Sequence, residues 1–370
     1  MDHGHLSFTQ ARSVFMLAGR HPCLARFSTI PPVDEAIRSA AFRRLDVLTK
    51  PRGALGRLEP LAAQVCAIQG TLDVRLAQPV GIVFAADHGV AGRGVSAYPR
   101  EVTAQMVANF LHGGAAISVL AKLQGIELWI VDAGVDGDCG PHPRLIEAKV
   151  RRGTRNFIDE PAMTPDECAE ALQRGRDAVE RVMPAGGNAL VLGEMGIGNT
   201  AAAAMLMHGL TGRELIDCVG RGTGLDDGGL ERKRRLLAQA LERRAAPEDP
   251  LDLLAEFGGY EIAMLTGAVL AGAARRALVM VDGFTVTVAA ALAAGLDRRV
   301  LDYCVFGHRS EEHAHRALLE HLEVQPLLDL GMRLGEGSGA ALALSVVHAA
   351  VALFTDMATF EGAGVSDKDA

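Results

Sequence analysis

Five short apolar runs, rich in valine and isoleucine and separated by long alanine- and leucine-rich stretches, constrain this chain more than any other feature. They span residues 80–86, 128–131, 189–192, 278–281 and, more weakly patterned, 301–306. Runs that are apolar on both faces belong to strands buried in a parallel sheet, and the stretches between them supply crossover helices. Apolar spacing predicts helices over 200–210, 229–241, 261–274 and 338–354. The last is apolar nearly all round and is therefore expected to be buried. Two amphipathic helices precede the first strand: Ile37, Ala41, Leu45 and Leu48 form one stripe, and Leu58, Leu61, Val65 and Ile68 form the other. The first 30 residues show no clear period and end at Pro31-Pro32, so residues 1–30 are expected to form a loosely attached extension. The remainder divides into N-terminal helices over 31–75, a large α/β region over 76–325, and a glycine-rich loop with C-terminal helices over 326–370.

Composition narrows the function classes. The 370 residues are 49% hydrophobic and 22% charged, which excludes disorder. A net charge of −8 leaves no broad basic footprint, and one Trp and three Tyr offer few stacking platforms, so nucleic acid is not an expected partner. Six cysteines are scattered singly with no Cys-x-x-Cys pair. That predicts neither a disulfide framework nor a zinc site, and it suits a reducing, cytoplasmic setting. The N-terminal residues lack the sustained apolar segment of a signal peptide. The longest apolar run, 340–354, falls short of the roughly 20 residues that span a bilayer, so no membrane association is expected.

The strand ends carry the chemistry. Asp87-His88-Gly89, Asp132-Ala133-Gly134, Glu194-Met195-Gly196, Asp282-Gly283 and Gly307-His308 each close or closely follow an apolar run. Any one of them is an ordinary cap or turn; five together point to the rim of a ligand site, because open α/β sheets bind ligands at the carboxyl ends of their strands. Residues 193–203 follow a strand and open a helix, presenting backbone N–H groups suited to an anion. From Gly196 the segment matches Gly-x-Gly-x-x-Ala, with Asp217 lying 19 residues past Gly198. That is the nicotinamide-dinucleotide pattern, here on the third predicted strand and beside the like charge of Glu194. An NAD(P)-dependent oxidoreductase using residues 196–201 is therefore one reading. A second glycine loop, residues 219–227, offers Gly222, Thr223, Gly224 and the following Lys233 to a terminal phosphate. A third, residues 330–340, sets Glu336 between two glycines ahead of an apolar helix. Burial there would raise its pKa toward that of a general base, whereas the helix N-terminus would lower it. A non-catalytic nucleotide-binding sensor, with Glu336 merely capping the helix, is the other alternative. His308, Glu311, Glu312, His313 and His315 make no metal pattern, since His313 and His315 at i, i+2 share no helix face; no metal is expected.

Taken in order, these motifs resemble one family. Lys50-Pro-Arg-Gly-Ala-Leu-Gly-Arg-Leu-Glu59, Ala85-Ala-Asp-His-Gly-Val90, Gly94-Val-Ser-Ala-Tyr-Pro99, Gly193-Glu-Met-Gly-Ile-Gly-Asn-Thr200, Gly220-Arg-Gly-Thr-Gly-Leu-Asp-Asp227 and Gly331-Met-Arg-Leu-Gly-Glu-Gly-Ser-Gly339 are similar to the motifs of the nicotinate-nucleotide–dimethylbenzimidazole phosphoribosyltransferases. The resemblance runs from about Pro32 to Ser366. It implies that nicotinate mononucleotide and 5,6-dimethylbenzimidazole give α-ribazole 5′-phosphate and nicotinate, with inversion at C1′, in assembly of the cobalamin nucleotide loop. It also implies a parallel Rossmann-like sheet flanked by helices, a smaller helical domain built from both chain ends, a homodimer, and no cofactor. Glu336 falls at the family's general-base position. By the same resemblance, Gly222, Thr223, Gly224 and Lys233 meet the ribose phosphate, with Asn199 near the helix start; Glu194, Gly196 and Asp282 are also expected at the nucleotide, where Glu194 and Asp282 are candidates to ease positive charge on the ribose. The incoming base lies against Ser96, Tyr98, Gln105, Met195 and Leu334. Two positions depart from the pattern: Arg100 replaces a Gln beside the base pocket, and Ala201 replaces a Thr.

Overall fold

The computed structural model describes residues 21–366. Six strands form one parallel sheet: β1 (Val80–Ala86), β2 (Glu127–Gly134), β3 (Leu145–Glu147), β4 (Ala189–Met195), β5 (Leu278–Val281) and β6 (Cys304–Phe306). Their order is β3-β2-β1-β4-β5-β6, the order of a Rossmann-type sheet. Chain progression reverses between β1 and β4, where Val80 pairs with Glu127 on one side and Leu190 on the other. A crevice for a ligand opens at such a switch point. Every residue of β1 is buried, which is why that run carries no alternation.

Helices pack on the sheet in two groups. Tyr260–Ala274 lies against Pro165–Val182 and Phe284–Leu296, whereas Ser338–Asp356 packs on β4 and β5 together with Leu58–Gln69 and Ala116–Gln124. β1 and β5 fall where the apolar runs predict them. β6 is shorter than expected, because residues Arg298–Tyr303 wind into a 3-10 helix whose first turn is capped by Asp297 accepting from Arg299 N. β3 has no sequence signature; it is three residues long and exists only through pairing with β2.

The Ser338–Asp356 helix corrects a second expectation. Ala340, Ala343, Leu344, Val347 and Phe354 are buried, but Ser345, Ala349 and Ala352 are exposed and Leu342 and Val346 are half-buried. Its 19 residues reach, by length and composition, what a bilayer span needs. Its inner side is instead part of the protein core.

Residues 1–20 of the expected extension lie outside the described residues. Residues 21–30 are docked rather than loose, since Leu24, Phe27 and Ile30 are buried and Arg176 both covers the Phe27 ring and donates to Arg26 O at 2.7 Å. The N- and C-terminal helices also meet. Leu48 bridges Thr359, and Arg44 donates to Phe354 O and Thr355 O at 3.1 and 3.2 Å.

Candidate active site

The loop before the last long helix is pressed onto β4. Gly335, Glu336 and Gly337 all adopt left-handed backbone, with φ of 85°, 67° and 89°. For Glu336 this conformation costs about 1–2 kcal/mol, which packing must offset. The packing is direct: a Cβ on Gly193 of β4 would stand 2.6 Å from Gly337 N and overlap Glu336 O, so loop backbone lies on strand backbone. Asp282, just past β5, then clasps the loop. Its Oδ2 accepts from Gly337 N at 3.1 Å and its Oδ1 from Ala340 N at 2.9 Å. Glu336 is left only 5% exposed, and its Oε2 accepts a long bond of 3.4 Å from Ile117 N. Burial lifts its acid above the usual carboxyl range, the Ile117 N–H opposes that rise, and the charge of Asp282 reinforces it.

Glu194, near the end of β4, faces the same loop: a Cβ on Gly335 would lie 2.5 Å from its Oε1. Asn199, at the start of the next helix, donates its amide to Glu194 Oε2. Burial and the nearby carboxylates of Asp282, Glu261 and Glu336 push the Glu194 acid up to about 8, against the Asn199 bond. Like charges this close cannot all ionise, so part of the cluster stays protonated near neutral pH. Asp282 departs from its expected role. It is wholly buried, and each of its oxygens accepts from a backbone N–H, so in this structure it anchors the Glu336 loop. Burial raises its pKa, opposed by His308 Nε2 at 3.6 Å and by those N–H groups.

On the other side of the site, a cleft of about 860 Å³ is lined by the 219–225 loop, Arg234, residues 309–313, Arg316, Gly331 and Arg333. Thr223 and Gly224 are exposed there, and Thr223 Oγ1 lies 3.4 Å from Ser96 Oγ. Two expected phosphate ligands sit differently from the expectation. Gly222 N–H is occupied, donating to Glu312 Oε1 at 3.3 Å. Lys233 has no exposed surface and donates to Thr200 Oγ1 at 3.0 Å and Gly220 O at 3.1 Å, so it underpins the loop from below. Burial pushes its ammonium down to about 8, with Glu312 pulling the other way. Sequence reasoning missed Glu312 and the cleft arginines Arg234, Arg309 and Arg333 as parts of one site. Isolated surface-type charges carry no signal until the fold gathers them.

Among the base-contact candidates, Met195 and Leu334 flank Glu194 and Glu336 in the chain, and Ser96 reaches the phosphate loop. Tyr98 is 52% exposed, and Gln105 is exposed on the Val102–Leu111 helix. Arg100 pairs with Asp136 at 3.0 Å. Near β6, His315 is structural in form: its Nδ1 accepts from Ser310 N at 2.9 Å, its Nε2 meets Thr287 Oγ1 at 2.9 Å, and burial pushes its pKa down to about 3. Gly196 and Asn199 do open a helix after a strand, but that strand is β4 and not β1. Asp217 is exposed on the short Leu215–Cys218 helix rather than at a neighbouring strand end, which removes the geometry of dinucleotide binding.

A parallel sheet with buried acids at the ends of β4 and β5, together with an arginine-lined cleft at the 219–225 loop, is the framework of a nucleotide-binding α/β protein. Comparison with known proteins names the family. A phosphoribosyltransferase family model matches residues 30–365. The nicotinate-nucleotide–dimethylbenzimidazole phosphoribosyltransferase of Cupriavidus taiwanensis is 56% identical over 92% of this chain and 99% of its own. That of Dechloromonas aromatica is 52% identical over 91% and 97%. The crystal structure of the Thermus thermophilus enzyme of the same name superposes with a TM-score of 0.86 at 44% identity, covering 90% of this chain and 99% of that one. The chain belongs to this phosphoribosyltransferase family, and is a pentosyltransferase rather than an oxidoreductase.

Proposed function

We propose that the chain moves the 5-phosphoribosyl group of nicotinate mononucleotide to 5,6-dimethylbenzimidazole, in assembly of the cobalamin lower ligand, with Glu336 as general base. The observation that carries this reading is the setting of Glu336: a buried carboxyl of raised pKa, held on strained backbone beside Glu194. As the unprotonated nitrogen of the benzimidazole attacks C1′, the N–H on its other nitrogen passes its proton to Glu336. The C1′–N bond to the leaving ring breaks, and its electron pair returns to the pyridine nitrogen, which becomes neutral. Attack opposite the leaving ring inverts the β-nucleotide to an α-product. Glu194 faces the pyridinium and the developing ribosyl cation, and that positive charge favours its ionised form. Asp282 holds the base in place from behind. The phosphate meets Thr223 and Gly224, with Gly222 and Gly196 supplying backbone latitude, Asn199 holding Glu194 and Lys233 supporting the loop. Ser96, Tyr98, Gln105, Met195 and Leu334 receive the benzimidazole. Nothing in this proton and electron balance requires a metal or cofactor.

We assign the two chain ends, 31–75 and 326–370, to a smaller helical domain; the Leu48–Thr359 bridge and the Arg44 bonds support it. A homodimer is supported by the uncovered side of the Ser338–Asp356 helix and by Val119 and Leu123, which are 59% and 72% exposed. Six unpaired thiols suit a cytoplasmic location. The test is to incubate the protein with nicotinate mononucleotide and dimethylbenzimidazole and follow nicotinate and ribazole phosphate by mass, with the anomer read by NMR. Absence of both products overturns the reading, and a β-anomer overturns the inversion.

A further inference from the structure

Beneath the nucleotide turn lies a buried couple that the proposed reaction does not use. His88 follows β1, and Glu261 lies in the first turn of the Tyr260–Ala274 helix. His88 Nε2 donates to Glu261 Oε1 at 2.6 Å, and neither side chain has any exposed surface. Taking two such polar side chains out of water is unfavourable unless their bonds are well made, so an apolar pair would suit a purely structural core better.

Two glycines make room for the couple. A Cβ on Gly196 would lie 3.3 Å from Glu261 Oε1 and 3.4 Å from His88 Cδ2, and one on Gly259 would lie 2.6 Å from Glu261 Oε2. A Cβ on Gly198 would touch His88 Cβ at 3.3 Å. The couple is therefore the floor of the Gly196–Gly198 turn. That turn leads directly into Asn199, which holds Glu194. The couple is also unsaturated: His88 Nδ1 and Glu261 Oε2 have no hydrogen-bond partner among the described residues. A half-satisfied polar pair is a poor choice for stability alone.

We infer that His88 and Glu261 are positioning residues for the transfer: they seat the turn over residues 196–199 and so fix Glu194 against the ribosyl carbon. The inference rests on the reaction proposed above. Glu194 is faced by Asp282 from the end of β5, Glu336 from its loop, Glu261 from its helix and Asn199 from the helix that follows. Glu261 in turn is faced by His88. Neutralising Glu261 therefore lowers the Glu194 pKa, whereas replacing His88 alters the seat of the 196–199 turn without removing the Glu261 carboxyl.

The variants are Glu261→Gln, which can still accept from His88, His88→Asn and His88→Gln. For each, kcat and both KM values are measured across pH, with calorimetry of nicotinate mononucleotide and a thermal melt. We expect the KM for the mononucleotide to rise about tenfold while that for dimethylbenzimidazole stays within about twofold. The kcat/KM limb set by Glu194 should move to lower pH in Glu261→Gln. Folded Glu261→Gln with both KM values and the limb unchanged overturns the inference, as does an equal rise in both KM values. If the His88 variants fail to fold, Glu261→Gln decides. A wild type that binds the mononucleotide without turnover overturns the reaction, yet weaker binding by Glu261→Gln still supports the pair. A wild type that does neither overturns both.

Discussion

The loop after β4 and the loop over residues 219–227 both bend on glycine, yet they prepare opposite electrostatic ground. Around the first gather Glu194, Glu261, Asp282 and Glu336; Glu194, Asp282 and Glu336 have acids pushed upward. Around the second gather Lys233, Arg234, Arg309 and Arg333, and burial pushes the Lys233 ammonium downward. The two shifts run in opposite directions for one reason: desolvation disfavours whichever form is charged. In the proposed reaction a cationic ring would favour ionisation of the acids, while the basic side, already charged, would receive the phosphate. Recognition by polarity along one molecule is what the contrast teaches.

Removing the base from the acidic side should have the largest effect. Glu336→Gln is expected to lower kcat by about 100- to 10,000-fold while calorimetry shows nearly unchanged mononucleotide binding. Turnover near the wild-type rate would strip Glu336 of its role. Next comes Glu194→Gln, with kcat/KM down about 100-fold and the limb near pH 8 gone from the profile. Its stability effect has a definite sign. The folded pKa, about 8, lies above the ordinary 4.5, so Glu194 supports folding below the lower value and loses that support as pH rises through the upper one. The melting temperature of Glu194→Gln should thus gain on the wild type between pH 5 and pH 9, and a difference flat in pH would contradict this. On the basic side the effects fall on binding. Lys233→Ala should raise the KM for the mononucleotide about tenfold, well above its effect on kcat, because the loop loses its bonds at Thr200 and Gly220. An unchanged KM would detach Lys233 from the phosphate loop. Smallest is Arg333→Ala, about threefold in KM and shrinking further in high salt, since its guanidinium is exposed and only 3.5 Å from Gly222 O. A loss that ignores salt would argue for packing rather than charge.

Much of the site was legible because its signals are local. Glu336 stands out since two flanking glycines announce unusual backbone, and the structure puts all three residues in left-handed conformation. Glu194 and Asp282 stand out because acids follow buried runs. What those acids do was not legible. Asp282 caps a loop across the sheet, and Lys233, which looked like a phosphate ligand, is sealed beneath one. His88 was visible as a strand-end histidine, but its partner Glu261 lies 173 residues away and was read only as the start of a helix. The edge strand β3 was invisible for a related reason, since three residues hold no periodicity.

By itself, then, the sequence determined the parallel sheet, the glycine loops and the carboxylate aimed from the last of them. Each follows from short-range pattern: uniform burial of a run, or backbone that only glycine tolerates nearby. Only the tertiary structure decided which polar groups share a space, and so which acids repel one another, which lysine is desolvated and which arginines form one cleft. Charge interactions depend on distance through space and on exclusion of water, and neither quantity is written along the chain.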